Sequence, residues 1–202
     1  MEIKASSALR WDAEILHYVI REAVRTSPDS FLKTVEDVDA ESPDYWVNEI
    51  RSSKWAVAQR GGQVVGVAAS KYPDPGMDRE DPATARYIES VWVTPGLRRK
   101  RIGERLIKYL LTTEYWSNQR IRQFVLWVYA TNGSAMKLYE HIGFVRTPER
   151  NVGTRTEIKY CLDFNPEVHT TIGLVANGAQ RQDQLHRGVT YRVLGQPEPD
   201  RF

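Results

Sequence analysis

Four consecutive cations, Arg98-Arg99-Lys100-Arg101, follow the turn-forming pair Pro95-Gly96 and run directly into Ile102-Gly103-Glu104. Val91-Trp92-Val93 before them is β-prone. After them, Ile102, Leu106 and Leu110 recur on one helical stripe, with Ile107 and Leu111 beside it. This predicts a strand, a tight loop and a helix that opens on positive charge. The first turn of a helix has unpaired backbone N–H groups and the positive end of the dipole, so it attracts anions. Gly103 in that turn lets a ligand approach the backbone closely. The expected chemistry is a phosphate cradle built from Arg98, Arg99, Lys100, Arg101, Ile102, Gly103 and Glu104. A solvated basic helix start or a nucleic-acid patch would use the same residues.

A second stretch, Asn132-Gly133-Ser134-Ala135, follows the β-prone run Leu126 to Tyr129. Asn132 suits either an N-cap or a ligand contact, and Ala135, Leu138, Tyr139 and Ile142 share a helical face. On periodicity alone Tyr139 reads as a packing residue. His17, His141, His169 and His186 show no metal spacing, so no metal is expected. His141, just before Gly143, suits a helix end. The lone Cys161 excludes an internal disulfide and a multi-cysteine zinc site, and no motif surrounds it. Asp74, Asp78, Glu80 and Asp81, offset by Arg79, form an acidic loop that would attract a cationic amine or simply be solvated.

These residues need a frame. Ile15, Leu16, Val19, Ile20, Ala23 and Val24 predict an amphipathic helix after Asp12, stopped by Ser27-Pro28. Ser42 and Pro43 open a second, packed through Tyr45, Trp46 and Ile50. Strands are expected at 55–59 and 64–69, joined by the hairpin signal Arg60-Gly61-Gly62-Gln63, and at 85–93 after a proline-rich loop. A helix over 101–116, a strand over 124–130, a helix over 134–142, a strand after Gly143-Phe144 and a strand over 154–163 complete the pattern. Strands alternating with helices after an antiparallel opening predict an α/β fold with a mixed sheet, one domain over residues 1–164. Residues 165–202 read as a C-terminal extension with strands at 171–176 and 189–194. It would pack on the domain or pair with a second subunit, which leaves a homodimer open.

Composition narrows the classes. At 202 residues with 41% hydrophobic side chains, the chain can bury a full core without staples. The formal net charge of +2 provides no global field toward nucleic acid, and apolar stretches such as Val64 to Ala69 are far too short to span a membrane. Met1-Glu2-Ile3-Lys4 has no apolar leader character, so a cytoplasmic protein is expected.

The two motifs in this order resemble the GNAT superfamily of acetyltransferases. Val93, Pro95, Arg98 and Gly103 match the family's Val-x-Pro-x-x-Arg/Gln-x-x-Gly-x-Gly/Ala segment. Asn132, Ala135, Tyr139, Gly143 and Phe144 match its Asn-x-x-Ala-x-x-x-Tyr-x-x-x-Gly-Phe segment. Arg101 stands where the first loop glycine usually sits, and an arginine there is expected to keep negative φ. The resemblance implies an acyl-coenzyme A N-acyltransferase fold with splayed central strands. It implies that residues 98–104 hold the pyrophosphate of acetyl-coenzyme A, and that Val91, Trp92 and Val93 bind the pantetheine arm like an added strand. Asn132 and Ala135 complete the cofactor side, and Tyr139 maps onto the acid that protonates the leaving thiolate. Glu89, on the pantetheine strand, is the first candidate for the base, and His141 the weaker one because its place before Gly143 suits a helix end. An α-amine is about one-tenth neutral at pH 7, a lysine only about once in 2,500, so a base matters most for lysine-like acceptors. The implied activity is transfer of acetyl to a primary amine of a small molecule or peptide. A non-catalytic acyl-coenzyme A sensor and a nucleic-acid binder using Arg98 to Arg101 are the rival readings.

Overall fold

The computed structural model describes residues 2–74, 76, 78–152, 155–165 and 189–194. Helix α1 (Glu2–Thr26) starts ten residues before the predicted Asp12 boundary and ends before Pro28, which opens a short 3-10 turn, Pro28–Ser30. Helix α2 (Val35–Ala40) is closed by a capping box in which Thr34 and Asp37 each satisfy the other's backbone N–H. Helix α3 (Pro43–Ser52) begins as predicted, with Ser42 Oγ accepting from the Tyr45 N–H at 3.2 Å.

Strands β1 (Ser53–Arg60) and β2 (Gln63–Lys71) form the expected hairpin. Gly61 and Gly62 both take positive φ, as a two-residue type I′ turn requires. Strand β3 (Ala85–Val93) follows the loop. Then come α4 (Ile102–Ser117), β4 (Gln123–Tyr129), α5 (Gly133–Ile142), β5 (Val145–Val152), β6 (Arg155–Asp163) and β7 (Thr190–Leu194). They build one mixed sheet in the order β5-β6-β4-β3-β2-β1-β7. Strand β7 pairs antiparallel with β1, Trp55 opposite Leu194, and buries Tyr191 and Leu194, and Val189 just before it is buried as well. The expected strand at 189–194 is therefore an edge of the main sheet. The one expected at 171–176 lies outside the described residues.

The parallel pair of β3 and β4 positions the site. Ladder partners run only from Ala85–Gln123 to Tyr87–Val125. Beyond Tyr87 and Val125 the two strands splay. On its other side β3 pairs with β2, but the register slips between Val67–Trp92 and Ala69–Glu89, and Ser90 inside that slip has φ 53°. The slip is a β-bulge, which bends a strand and re-aims its side chains.

Two cores cover the two faces. Helices α4 and α5 pack one through Leu106, Ile107, Leu110, Tyr139 and Ile142 against Ala68, Ile88, Leu126, Val128 and Ile158. Helices α1 to α3 pack the other through Leu16, Ala23, Val38, Trp46 and Ile50 against Trp55, Val57, Val67 and Trp92.

Candidate active site

The loop after β3 enters α4 in an unusual backbone. Arg99 and Arg101 both adopt left-handed φ, 60° and 62°. This corrects the expectation that Arg101 keeps negative φ: the loop holds the conformation that a glycine would favour, with an arginine in it. Arg101 occupies the N-cap and makes no side-chain cap bond, whereas Thr34, Ser42 and Asn132 cap α2, α3 and α5. The first backbone bond into α4 runs from the Arg105 N–H to the Arg101 carbonyl. The N–H groups of Ile102, Gly103 and Glu104 thus have no partner within the helix ladder. Arg98, Arg99, Lys100 and Arg101 are all exposed around this opening. Unpaired donors and the positive end of the dipole thus follow directly on four exposed cations, a combination suited to an anion.

Three side chains of the predicted cradle are otherwise engaged: Arg98 donates to the Val93 carbonyl and to Ser27, and Ile102 and Glu104 turn inward. Glu104 Oε1 accepts from Lys108 at 2.8 Å, and its other oxygen lies 3.8 Å from His141 Nε2 on α5. Burial would raise the Glu104 carboxyl, but Lys108, His141 and Arg101 outweigh it and hold the group below its ordinary value. The Glu104 carboxylate thus faces Lys108 on its own helix and His141 on α5, while its backbone N–H stays outside the helix ladder. Gly103 is buried, and a Cβ there would meet Leu138 Cδ2 at 3.2 Å and Val93 Cγ2 at 3.7 Å. Its bareness serves the close approach of α5 to α4. Ile102 is core.

On β3, Trp92 is buried beneath α1 and donates Nε1–H to Thr26 Oγ1 at 3.0 Å. Val91 and Val93 pack partly into the α4/α5 core. Because the β3–β4 ladder ends at Tyr87, the stretch from Ile88 to Val93 has no strand partner on its β4 side. An extended ligand arm can pair with such an edge as an added strand does.

At the second motif, Asn132 takes the N-cap alternative. Its Oδ1 accepts from the Ala135 N–H at 3.1 Å, and its Nδ2 donates to Ser30 Oγ at 3.2 Å. Ala135 packs partly against the α4/α5 core. Tyr139 is buried there, its ring 6.1 Å from those of Phe144 and Tyr160. Burial alone pushes its phenol well above the ordinary tyrosine value, so the proton stays on oxygen at neutral pH.

Glu89 lies with the opposite face. Its carboxylate is 3.5 Å from Lys71 Nζ, which sits 2.8 Å from Glu49 on α3. Burial would lower the Lys71 ammonium, but Glu89 and Glu49 outweigh it and keep it charged. The acid candidate and the base candidate therefore lie with opposite faces of the sheet.

The acidic loop is internally engaged. Asp74 accepts from Gly76 N–H, Asp78 from Asp74 N–H and Asp81 from Ala83 N–H. Glu80 pairs with Lys159 and accepts from the Tyr87 hydroxyl at 2.6 Å. Trp46 is core, and Tyr45 accepts from Lys33 at 3.0 Å. Burial raises the Cys161 thiol, the opposite of what a nucleophile needs. Among the described residues no group of acids, histidines and cysteine is placed to hold a metal, and no helix is long and apolar enough to cross a membrane.

Sequence spacing gave no warning of Thr26, Ser27, Ser30 or Lys71. Ordinary polar residues outside both motifs, they reach the site only through tertiary packing.

The site thus combines a splayed parallel strand pair, an uncapped basic helix start after one strand and a buried tyrosine on the helix after the other. The profile of the Acetyltransferase (GNAT) family matches residues 16–144, and the chain belongs to that family. It is 28% identical over 119 residues to mycothiol acetyltransferase of Amycolatopsis mediterranei (strain U-32), a stretch that takes in 59% of this chain and 38% of that relative. The chain therefore spans little more than a third of that relative's length. Among solved structures, a ribosomal-protein-alanine N-acetyltransferase from Brucella melitensis shares the fold at TM-score 0.59 and 20% identity, covering 77% of this chain and 96% of that one. An aminoglycoside acetyltransferase AAC(6')-Ib solved with coenzyme A and kanamycin does so at 0.59 and 17%, covering 76% and 90%.

Proposed function

We propose that this protein is an N-acetyltransferase that takes acetyl from acetyl-coenzyme A and passes it directly to a primary amine of a small molecule or peptide. The observation that carries the reading is the uncapped, fourfold-basic start of α4 beside the unpaired β4-side edge of β3. The amides of residues 102–104 and the cations of 98–101 hold the pyrophosphate, and the edge from Val91 to Val93 holds the pantetheine arm. The fold relatives include one solved with coenzyme A bound, which supports this use of the cleft.

The cofactor supplies a thioester, hence an acetyl group and a thiolate leaving group. Glu89 takes the proton lost by the attacking amine, directly or through a water, from the α1–α3 face. Tyr139 gives its proton to the departing sulfur from the α4–α5 face, and its buried phenol is protonated when that step comes. Since a thiol has an ordinary pKa of about 8.5, loss of this acid slows the reaction without abolishing it.

The test is coenzyme A thiol release with acetyl-coenzyme A and a panel of α-amines, lysine-type amines and aminoglycosides, with mass detection of acetylated product. Product with at least one amine supports the reading. Cofactor binding without product in any amine would leave a sensor module in its place.

A further inference from the structure

Three hydroxyls within five residues, Thr26, Ser27 and Ser30, each hold a different part of the cofactor cleft, and none lies in either motif. Thr26 Oγ1 accepts from Trp92 Nε1 at 3.0 Å while donating to the Glu22 carbonyl at 2.7 Å, so its position is set by α1. Ser27 Oγ accepts from Arg98 Nη2 at 2.6 Å, and Arg98 Nε donates to the Val93 carbonyl at 3.0 Å. Ser30 Oγ accepts from Asn132 Nδ2 at 3.2 Å, which turns Asn132 Oδ1 toward the Ala135 N–H. The segment therefore crosses from the β3 side of the splay to the β4–α5 side.

Arginine has a long side chain with many rotamers, and fixing it on a ligand costs binding energy unless it is fixed beforehand. Arg98 is exposed, yet two of its nitrogens are already held, one by its own strand and one by Ser27. We propose that residues 26–30 complete the cofactor site as a hydroxyl strap, with Ser27 as the positioning residue that pre-orders the Arg98 guanidinium for the cofactor's phosphates. The strap connects to α2 and α3, so the helices on the Glu89 face are joined to the phosphate end through these bonds. This proposal rests on the coenzyme A reading given above.

The test is a double-mutant cycle measured by calorimetric titration of the full chain with acetyl-coenzyme A, with pantetheine lacking the phosphates as control. Immobilising one such side chain is worth about a threefold to tenfold change in affinity. Ser27→Ala is therefore expected to weaken acetyl-coenzyme A by about that factor, leave pantetheine unchanged, and cost nothing further in an Arg98→Ala background. Ser27→Thr, which restores a hydroxyl, is expected to recover the affinity. Arg98 is exposed and Ser27 half-buried, and neither belongs to a core, so the variants should retain the fold, which their thermal midpoints would check. An unchanged affinity in Ser27→Ala, or a loss that persists in full beside Arg98→Ala, would overturn the role of Ser27 and leave the cofactor site standing. Failure of the unmutated protein to bind acetyl-coenzyme A would remove the cofactor reading, and the strap with it.

Discussion

Arg101 shows how a residue type can misstate its own backbone. A Cβ normally disfavours the left-handed region by roughly 1–2 kcal/mol, yet Arg101 sits at φ 62° at the mouth of α4. Arg101→Gly relieves that strain, though the freer unfolded chain offsets part of the gain. The expected outcome is a small rise in thermal midpoint, up to about 1 kcal/mol of stability; a fall in midpoint would mean that the arginine side chain stabilises the loop. Tyr139→Phe is expected to lower kcat by about 10²-fold with acetyl-coenzyme A affinity unchanged. Because burial raises the phenol's pKa, Tyr139 keeps its proton through mildly alkaline pH and should add no alkaline fall in rate there. Glu89→Gln should flatten the acidic limb of the pH–rate profile, and an unaltered limb would return Glu89 to an ion-pairing role with Lys71. The motif residues were legible because their spacing repeats the requirements of helix starts and helix faces. Arg101's φ was not, since nothing local in an arginine signals a left-handed turn.

At the scale of elements, α4 is pressed onto the sheet and onto α5 through two bare glycines. A Cβ on Gly66 would meet the Trp92 carbonyl at 3.0 Å, Leu106 Cδ1 at 3.1 Å and Ile102 Cγ2 at 3.3 Å. Gly66→Ala is therefore expected to destabilise the protein by about 1–3 kcal/mol in denaturant unfolding and to loosen the N-terminal end of α4. An unchanged midpoint would show that the contact relaxes freely. Glu104 joins α4 to α5, and its carboxyl is held below the ordinary value of 4.5. A depressed folded-state value means that this contribution is present above that pH and is lost as pH falls through the folded value. Glu104→Gln should accordingly be less stable than the parent at neutral pH, with the gap closing in acid. Most elements were legible from period and turn chemistry, down to the Ser42 cap and the Gly61-Gly62 hairpin. Helix α2 was missed because six residues barely complete a periodic pattern, although Thr34 and Asp37 stand at capping-box spacing. The bulge at Ser90 and the place where β3 leaves β4 depend on neighbouring strands, which no local pattern records.

Over the whole molecule, the sheet is closed at one edge by residues from near the chain's end. Strand β7 buries Tyr191 and Leu194 beside β1, and Val189 just before it is buried as well. At about 1.5–3 kcal/mol for each large buried side chain, truncation after Asn165 would remove a large share of a domain's usual margin. Such a chain is expected to lose its cooperative thermal transition or aggregate, and an unchanged midpoint would show that β7 is dispensable. In the last turn of α4, Glu114 is buried between Lys54 at 2.7 Å and Arg86 at 3.4 Å. The α/β class, the domain core and the family's two motifs could all be seen in the sequence. The sheet order, the pairing of β7 with β1 and the bonds from Thr26, Ser27 and Ser30 to Trp92, Arg98 and Asn132 could not, because they pair residues far apart in the chain. In the proposed function, the basic start of α4 holds the phosphates of acetyl-coenzyme A. The most direct test is calorimetric titration of the purified protein with acetyl-coenzyme A, using phosphate-free pantetheine as control. Clear binding of the cofactor with much weaker binding of the fragment is predicted; equal affinity for the two, or no binding of the cofactor with or without amines present, would contradict it.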